Sequence, residues 1–219
     1  MLKLGEKGAI PQRQEDSYTI APHIPCGVVT PELLRKIADV SEKYGADALK
    51  ITGACRIAIV GLKEEAIDPV WEELGMAEGA AVGLCVRSIR TCPGNTYCRL
   101  GKQDAMGIGM KLDEKYHAYQ LPGKFKMAVS GCKLSCSESW VRDIGLIGDK
   151  DGWILTIGGN VGSQPRIGKE VASGLDDDAV FEAIDTVINY YTENAKKGER
   201  IGKMIERVGL EPFVEALQK

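Results

Sequence analysis

The sequence lacks several features that would assign a protein to a class at once. Its N-terminus has no continuous apolar segment of the kind found in signal peptides, and its longest apolar runs, such as residues 80–86, are far shorter than a membrane span. No G-x-G-x-x-G motif is present, so a nicotinamide or flavin signature is missing. The two histidines, His23 and His117, do not have metal-ligand spacing. We expect both to be structural and the protein to be cytoplasmic.

An excess of charge of one sign is also missing. The chain has 28 Lys and Arg residues against 31 Asp and Glu residues, so its formal net charge is -3. This balance argues against a nucleic-acid partner and a membrane-surface partner, although it leaves room for a local basic pocket. With 219 residues, 44% apolar and 27% charged, the chain is long enough for one globular domain or two small ones.

Cysteine, in contrast, occurs in a pattern. Four of the seven cysteines form two pairs, Cys92-x5-Cys98 and, after 33 intervening residues, Cys132-x3-Cys136. In a compartment that keeps thiols reduced, such pairs indicate a metal, a cluster or catalysis before they indicate disulfides. Iron–sulfur clusters are held by four cysteine thiolates of this kind. We therefore predict a [4Fe–4S] cluster on these four residues.

Two other interpretations of the cysteines stay open at this point. A structural zinc site prefers two to four residues between paired ligands, whereas the first pair here has five. A protein without any metal is the second alternative. The remaining cysteines, Cys26, Cys55 and Cys85, lie in apolar, strand-like stretches and are expected to be inert and buried.

The first part of the chain has the pattern of a ferredoxin-like unit. After a polar segment at residues 1–16, which we expect to be a loose arm, the sequence predicts alternating strands and helices. Thr30, Pro31 and Gly45 mark the beginning and end of the first helix. The predicted elements are a strand at 17–24, a helix to Tyr44, strands at 48–52 and 56–60, a helix at 63–74 and a strand at 81–89. This β-α-β-β-α-β order is that of a split ferredoxin-like fold, which by itself implies no function.

The second part of the chain mixes helices and strands around the cysteines. We expect it to contain a helix from Cys98 to about Tyr119, strands at 125–129, 144–147 and 153–157, a glycine-rich loop at 158–168 and a helix at 176–197. The predicted fold class is therefore α+β. Its predicted domains are a ferredoxin-like half-domain at residues 1–76 and an α/β cluster-binding domain at residues 77–219.

The motif C-x5-C followed by G-C-x3-C resembles the signature of the sirohaem-containing sulfite and nitrite reductase family. The resemblance covers most of the chain and is closest to the small, assimilatory-type sulfite reductases. The matching segments are Ile24–Pro31 (IPCGVVTP), Lys50–Arg56 (KITGACR), Arg87–Gly94 (RSIRTCPG) and Lys124–Lys126 (KFK). The family implies a [4Fe–4S] cluster coupled to sirohaem through one shared thiolate.

The resemblance also implies roles for individual residues. By motif position, Cys92, Cys98 and Cys132 hold only the cluster, whereas Cys136 also bridges to the sirohaem iron. The family's basic substrate-pocket positions match Arg87, Lys124 and Lys126, and the last two share a face if the segment is a strand. Without the family, they are a strand with a solvated face. Candidates to pair with the sirohaem carboxylates are Lys50, Arg56 and Arg166; for Lys50 and Arg56 the alternative is surface charge on a hairpin.

The activity that the resemblance implies is six-electron reduction of sulfite to sulfide with an external electron donor, such as a ferredoxin. Nitrite reduction to ammonia is the alternative within the family, and an electron-transfer protein that holds only the cluster is an alternative outside it. Larger family members contain two such half-units, with pocket cations and cluster cysteines in different halves. This chain contains one, so we expect either a homodimer with shared sites or a monomer with an open sirohaem.

The chain departs from the family pattern at several positions. Ala21 and His23 stand where arginines are usual, and Ala54 replaces a second arginine of the Thr-containing segment. Lys133 and Leu134 replace the usual Pro and Asn of the last cysteine loop. These departures concern the substrate and the sirohaem contacts, not the cluster, and Lys133 is a candidate to restore a positive charge.

Overall fold

Two β-sheets divide the chain into two units. The computed structural model describes residues 1–218, in which the first unit runs from Met1 to Gly83 and the second begins at Leu84. The sequence-based boundary between residues 76 and 77 stays a prediction. Within residues 1–218, no helix has the length and apolar composition needed to span a membrane.

The first unit is an antiparallel four-stranded sheet with two helices, and its strands pair in the order β1-β2-β4-β3. Its elements are β1 (Ala9–Pro11), β2 (Tyr18–Ile20), α1 (Pro31–Lys43), β3 (Ala48–Ile51), β4 (Ile57–Leu62) and α2 (Ile67–Leu74). One cluster of buried side chains forms the core. The sheet contributes Ile20 and Ile59 to this cluster, and the helices contribute Ile37 and Val70.

The predicted start of α1 is confirmed, and a glycine ends α2. Thr30 has extended backbone angles, and its hydroxyl accepts the N–H of Leu33 at 3.2 Å, which satisfies one of the free donors of the first turn of α1. Gly75 ends α2 in the left-handed region, with φ 63°, where a side chain would be strained.

Two expectations for the first unit are wrong. Residues 1–16 are not a loose arm, because β1 pairs with β2 with Ala9 opposite Ile20, and the indole N–H of Trp71 donates to the carbonyl of Lys7 at 2.9 Å. The last strand of the expected β-α-β-β-α-β order begins at Val86 and belongs to the sheet of the second unit. Strand pairing depends on distant partners, which a local pattern does not reveal.

The second unit is a five-stranded mixed sheet in sequential order, β5-β6-β7-β8-β9. Its elements are β5 (Val86–Thr91), α3 (Gly94–Tyr97), α4 (Ala105–Tyr116), β6 (Phe125–Ser130), β7 (Ile144–Asp149), β8 (Gly152–Ile157), β9 (Lys169–Leu175), α5 (Asp177–Asn194), α6 (Ile201–Val208) and α7 (Glu211–Leu217). The first three strands are parallel, and the last two pair antiparallel. Parallel strands end at the same edge of a sheet, and this edge carries the cysteines.

The helix predicted from Cys98 to about Tyr119 begins later than expected. The helix α4 begins at Ala105, where the carboxylate of Asp104 accepts the N–H of Gly107 at 2.9 Å. Cys98 follows the short helix α3, and its N–H donates to the carbonyl of Gly94 at 2.9 Å. Cys98 therefore does not begin α4. The sequence pattern also failed to predict the strand β9. The helix α5 lies within the helix predicted at residues 176–197.

Candidate active site

The four paired cysteines lie on two loops that follow neighbouring parallel strands. We call residues 92–98 the first cysteine loop and residues 131–136 the second cysteine loop. Thr91 at the end of β5 lies opposite Val129 in β6, and the N–H of Cys92 donates to the carbonyl of Val129 at 3.2 Å. The parallel register therefore brings both loops to one edge of the sheet, although 33 residues separate them in the chain.

Backbone contacts hold the two cysteine loops against each other. The carbonyl of Gly131 accepts the N–H groups of Lys102 and Gln103, at 2.7 and 3.1 Å, and the carbonyl of Gln103 accepts the N–H of Asn95 at 3.0 Å. A Cβ atom at Gly131 would lie only 2.7 Å from the Cα atom of Gly94. The approach of the loops therefore requires glycine at residue 131, because a side chain would meet rigid backbone.

The donor set at this edge fits an iron–sulfur cluster. The N–H of Gly131 donates to the sulfur of Cys92 at 3.1 Å, and such hydrogen bonds stabilise a thiolate ligand and tune its cluster. All seven cysteines lack a disulfide. Among residues 1–218, no three or more His, Cys, Asp or Glu side chains gather as ligands of a metal ion.

Serine side chains shape the second cysteine loop. The hydroxyl of Ser135 accepts the N–H of Ser139 at 3.1 Å, and the hydroxyl of Ser130 accepts the N–H of Ser137 at 3.2 Å and contacts the hydroxyl of Ser139 at 2.9 Å. The hydroxyl of Ser137 is buried and has no hydrogen-bond partner among the described residues. An unsatisfied donor directly after Cys136 fits a loop that surrounds a sulfur-rich group.

A carboxylate between two arginines joins this loop to the sheet. Glu138 accepts the guanidinium N–H groups of Arg90, at 2.8 Å, and Arg142, at 2.5 Å. Arg142 is 4% exposed, so its charge is held inside the protein close to the second cysteine loop. The serines and this arginine pair were not predicted from the sequence. Only the repeated serines of residues 130–139 were visible as a signal.

A group of cations lies at the opposite ends of the same strands. Arg87 of β5 and Lys126 of β6 are half-buried, as is Lys124 directly before β6. We call Arg87, Lys124 and Lys126 the cation group. Burial, together with Lys124, Arg142, Arg200 and Arg87, lowers the pKa of Lys126 to about 8.

The lysines of the cation group carry little compensating negative charge. Burial, Arg87 and Arg200 lower the pKa of Lys124, and Asp143 opposes this shift. Among residues 1–218, no carboxylate forms an ion pair with either lysine. Desolvated cations without carboxylate partners favour the binding of an anion.

Comparison with known proteins identifies the family. A family model described as the nitrite and sulphite reductase 4Fe-4S domain matches residues 82–219. A second model, the nitrite/sulfite reductase ferredoxin-like half domain, matches residues 10–77. The chain belongs to the nitrite and sulphite reductase family. Membership confirms the predicted family, the α+β class with a ferredoxin-like half-domain, and an oxidoreductase with a [4Fe–4S] cluster and sirohaem as cofactors.

Similar proteins include both sulfite and nitrite reductases. An assimilatory-type sulfite reductase of Nitratidesulfovibrio vulgaris is 43% identical over 211 residues, which are 96% of this chain and 97% of that protein. A NAD(P)H nitrite reductase of Bacillus subtilis is 39% identical over 198 residues, 90% of this chain but 25% of that protein. The crystal structure of dissimilatory sulfite reductase I has a TM-score of 0.83 and covers 93% of this chain and 69% of that chain. Its identity is 16%, so it shows the fold alone.

The three residues predicted to bind the sirohaem carboxylates differ from one another in exposure and in hydrogen-bond partners. Lys50 is exposed on β3, and its ammonium donates to the carbonyl of Ile51 at 2.6 Å. Arg56 is 3% exposed and donates to the carbonyl of Ala21 at 2.8 Å, so the alternative of surface charge is wrong for this residue. Arg166 forms two hydrogen bonds of 2.7 Å with the carboxylate of Glu206. Their roles toward sirohaem stay predictions.

Two of the residues that depart from the family pattern, Lys133 and Leu134, lie in the second cysteine loop. The ammonium of Lys133 forms an ion pair with Asp149, so its charge is locally neutralised. Leu134, beside it, is 66% exposed. The proposal that Lys133 restores a missing positive charge therefore loses support.

The structure does not bring the predicted cations and cysteines of this reductase together. Lys126 lies near the amino end of β6, and Gly131 follows its carboxyl end. They are five positions apart in the chain, which is an offset of about 16 Å along an extended strand. Arg87 and Cys92 have the same separation along β5. Side chains stand roughly perpendicular to a sheet, so a lysine does not remove this offset.

Proposed function

We propose that this chain is a sulfite reductase that carries out the six-electron reduction of sulfite to sulfide with electrons from an external donor. The observation that carries the proposal is the cation group, in which Lys124 and Lys126 form no ion pair with a carboxylate among residues 1–218, in a chain that also presents four paired cysteines. Sulfite is a small oxyanion, and desolvated cations supply both its binding energy and protons for its leaving oxygen atoms.

The cysteines divide into two roles in this proposal. Cys92, Cys98 and Cys132 would hold only the cluster, whereas Cys136 would hold the cluster and also link it to sirohaem. When bound, the cluster and sirohaem supply electrons and the iron to which the anion binds. Cys136 and Cys98 are both exposed, and the exposure of Cys136 is compatible with this role, because a bridging sulfur needs an open side. Lys50, Arg56 and Arg166 are proposed to bind the sirohaem carboxylates.

The cation group has two functions in the reaction. Arg87 remains protonated and serves as a fixed positive charge for the anion, because a guanidinium does not lose its proton in proteins. Lys126, with a pKa of about 8, holds a proton at Nζ near neutral pH and is able to release it. Reduction of sulfite consumes protons, so a group that exchanges them close to the working pH is favoured.

The separation of cations and cysteines supports a homodimer with shared sites. An offset of about 16 Å along β5 and β6 separates the cation group of one chain from its own cysteine loops. A second copy, related by a two-fold axis, is proposed to place its Lys124 and Lys126 beside the sirohaem held by the first copy. The alternative is a monomer whose sirohaem is open to solvent.

Nitrite reduction is the second candidate within the same family. The cation group suits nitrite as well as sulfite, and the relative from Bacillus subtilis is named a nitrite reductase. An electron-transfer protein that holds only the cluster would leave the cation group without a function.

We propose a cytoplasmic location and a ferredoxin-like electron donor.

The absorption spectrum of the purified protein and its turnover test this proposal. A sirohaem band is expected, followed by higher kcat/KM with sulfite than with nitrite when both are assayed with one artificial donor. A cluster spectrum without a sirohaem band would support the electron-transfer alternative instead. A preference for nitrite would transfer the proposal to nitrite reduction.

Complementation between two inactive variants tests the shared site. The Lys126→Ala chain keeps its cysteines, and the Cys136→Ser chain keeps its lysines. If the subunits exchange freely, half of the dimers are mixed and each has one intact site, so about a quarter of the wild-type activity is expected. Each variant alone is the control. No recovery in the mixture, despite mixed dimers, would remove the shared-site arrangement.

A further inference from the structure

A buried carboxylate contacts the cations at the amino end of β6. Asp143, directly before β7, is 0% exposed. Its Oδ1 accepts the Nε–H of Arg200 at 2.9 Å, and its Oδ2 accepts an Nη2–H of Arg200 at 2.5 Å. Oδ2 also accepts the backbone N–H of Lys126 at 2.8 Å. All of these contacts are donors, so the geometry is that of an ionised carboxylate with a bidentate guanidinium.

Asp143 is a rare negative charge in a positive environment. The charges that face Lys126 are Lys124 directly before β6, Arg87 from β5, Arg142 and Asp143 from the segment before β7, and Arg200 from the segment before α6. Tyr191 of α5 also lies within the field of Asp143 and Arg200, and its phenol donates to the carbonyl of Glu199 at 2.5 Å. Asp143 therefore offsets part of the repulsion among five cations.

We propose that Asp143, paired with Arg200, is a positioning residue for the substrate anion. Its carboxylate fixes the backbone of β6 at Lys126 and holds Arg200 in place, so that the ammonium groups of Lys124 and Lys126 stay charged and directed at one anion. This inference rests on the proposed function, because it assigns the pair to the same anion site. Asp143 does not touch the anion in this arrangement.

Two substitutions with opposite effects on charge test this inference. Asp143→Asn keeps the shape but removes a negative charge that raises the pKa of Lys124, so Lys124 loses its proton at lower pH. Arg200→Gln removes a positive charge that lowers the pKa of both lysines and leaves Asp143 without its partner, so they keep their protons to higher pH. Structural damage alone does not produce shifts of opposite sign.

The measurement is the dissociation constant of sulfite, taken from the absorption change of sirohaem in the oxidised holoenzyme across a range of pH. We expect the alkaline midpoint of binding to fall in Asp143→Asn and to rise in Arg200→Gln, each by on the order of one pH unit. Above the midpoint, a downward shift of one unit weakens binding about tenfold, and an upward shift of one unit strengthens it about tenfold. The titration of sulfite itself is common to all variants and cancels in the comparison.

Glu199→Gln is the matched control. It breaks another arginine–carboxylate pair of the same unit, in which the exposed Arg207 donates to the buried Glu199 at 2.9 and 2.7 Å. We expect a lower melting temperature and an unchanged binding midpoint. The inference would be overturned if Asp143→Asn and Arg200→Gln had the wild-type midpoint of binding. It would also be overturned if both midpoints shifted in one direction together with that of Glu199→Gln. If Asp143→Asn does not fold, an unchanged midpoint in Arg200→Gln overturns it alone. A wild-type holoenzyme that gives no response to sulfite overturns the proposed function as well.

Discussion

Substitution of Gly131 by alanine tests how closely the two cysteine loops must approach. The added Cβ atom would lie 2.7 Å from the Cα of Gly94 and 2.9 Å from the carbonyl oxygen of Gln103. Carbon atoms in contact normally lie about 3.5–4.0 Å apart, so the first contact is about 1 Å too short. Both neighbouring atoms are backbone atoms, which cannot turn aside as a side chain does.

The expected result is a separation of the loops that weakens the cluster. Overpacking of this kind costs about 1–3 kcal/mol, and the shift also lengthens the hydrogen bond from the Gly131 N–H to the Cys92 sulfur. We expect Gly131→Ala to be purified with less iron per chain, a weaker cluster absorption and a lower melting temperature. The matched control is Gly53→Ala, where the added Cβ would have no atom within 4 Å. If Gly131→Ala had wild-type iron content and stability, the argument that the cluster requires this close approach of the two loops would be refuted.

Three further predictions concern side chains with a proposed ligand role or a shifted pKa. Cys92→Ser should abolish the cluster, whereas Cys136→Ser should first break the coupling between the cluster and sirohaem. Iron analysis with EPR spectroscopy distinguishes these two results. A Cys136→Ser protein with fully coupled sirohaem would contradict the proposed bridge. Sulfite turnover should fall as pH rises through about 8, where Lys126 loses its proton, and Lys126→Arg should flatten that limb in a pH profile of kcat/KM. The hydrogen bonds from Arg207 lower the pKa of Glu199 to about 2, so this pair stabilises the fold above the ordinary pKa of a glutamate and loses its contribution as pH falls toward 2. Glu199→Gln should therefore reduce the acid dependence of the melting temperature, and an unchanged dependence would exclude the pair.

Much of the fold was predictable because its signals are local. The start of α1 at Thr30 and Pro31 depends on residues within one helical turn. The errors occurred where a segment takes its structure from a distant partner. β1 forms because β2 lies beside it, and β5 joins β6 of the second unit although its predicted place was in the first. The start of α4 is delayed because the backbone at Lys102 and Gln103 binds Gly131 instead.

Some features of the candidate site were also predictable from the sequence, and others were not. The cysteine spacing was visible in the sequence, and so was its resemblance to a family, because ligand loops have a fixed length between their thiols. The Ser130–Ser139 contact, the bridge from Arg90 through Glu138 to Arg142 and the unpartnered hydroxyl of Ser137 were not predictable. Each depends on how a loop folds back on a strand, and residue types alone do not specify that path.

The sequence by itself determined which residues are able to hold a cluster and which are able to bind an anion. Thiolates and cations have these properties wherever the chain places them. Only the tertiary structure decided that the cations and the cysteines lie at opposite ends of β5 and β6, and that Asp143 meets Arg200 across 57 residues of sequence. The physical reason is that parallel strand pairing and buried ion pairs are long-range contacts, whose energy depends on burial and distance and not on neighbours in the chain.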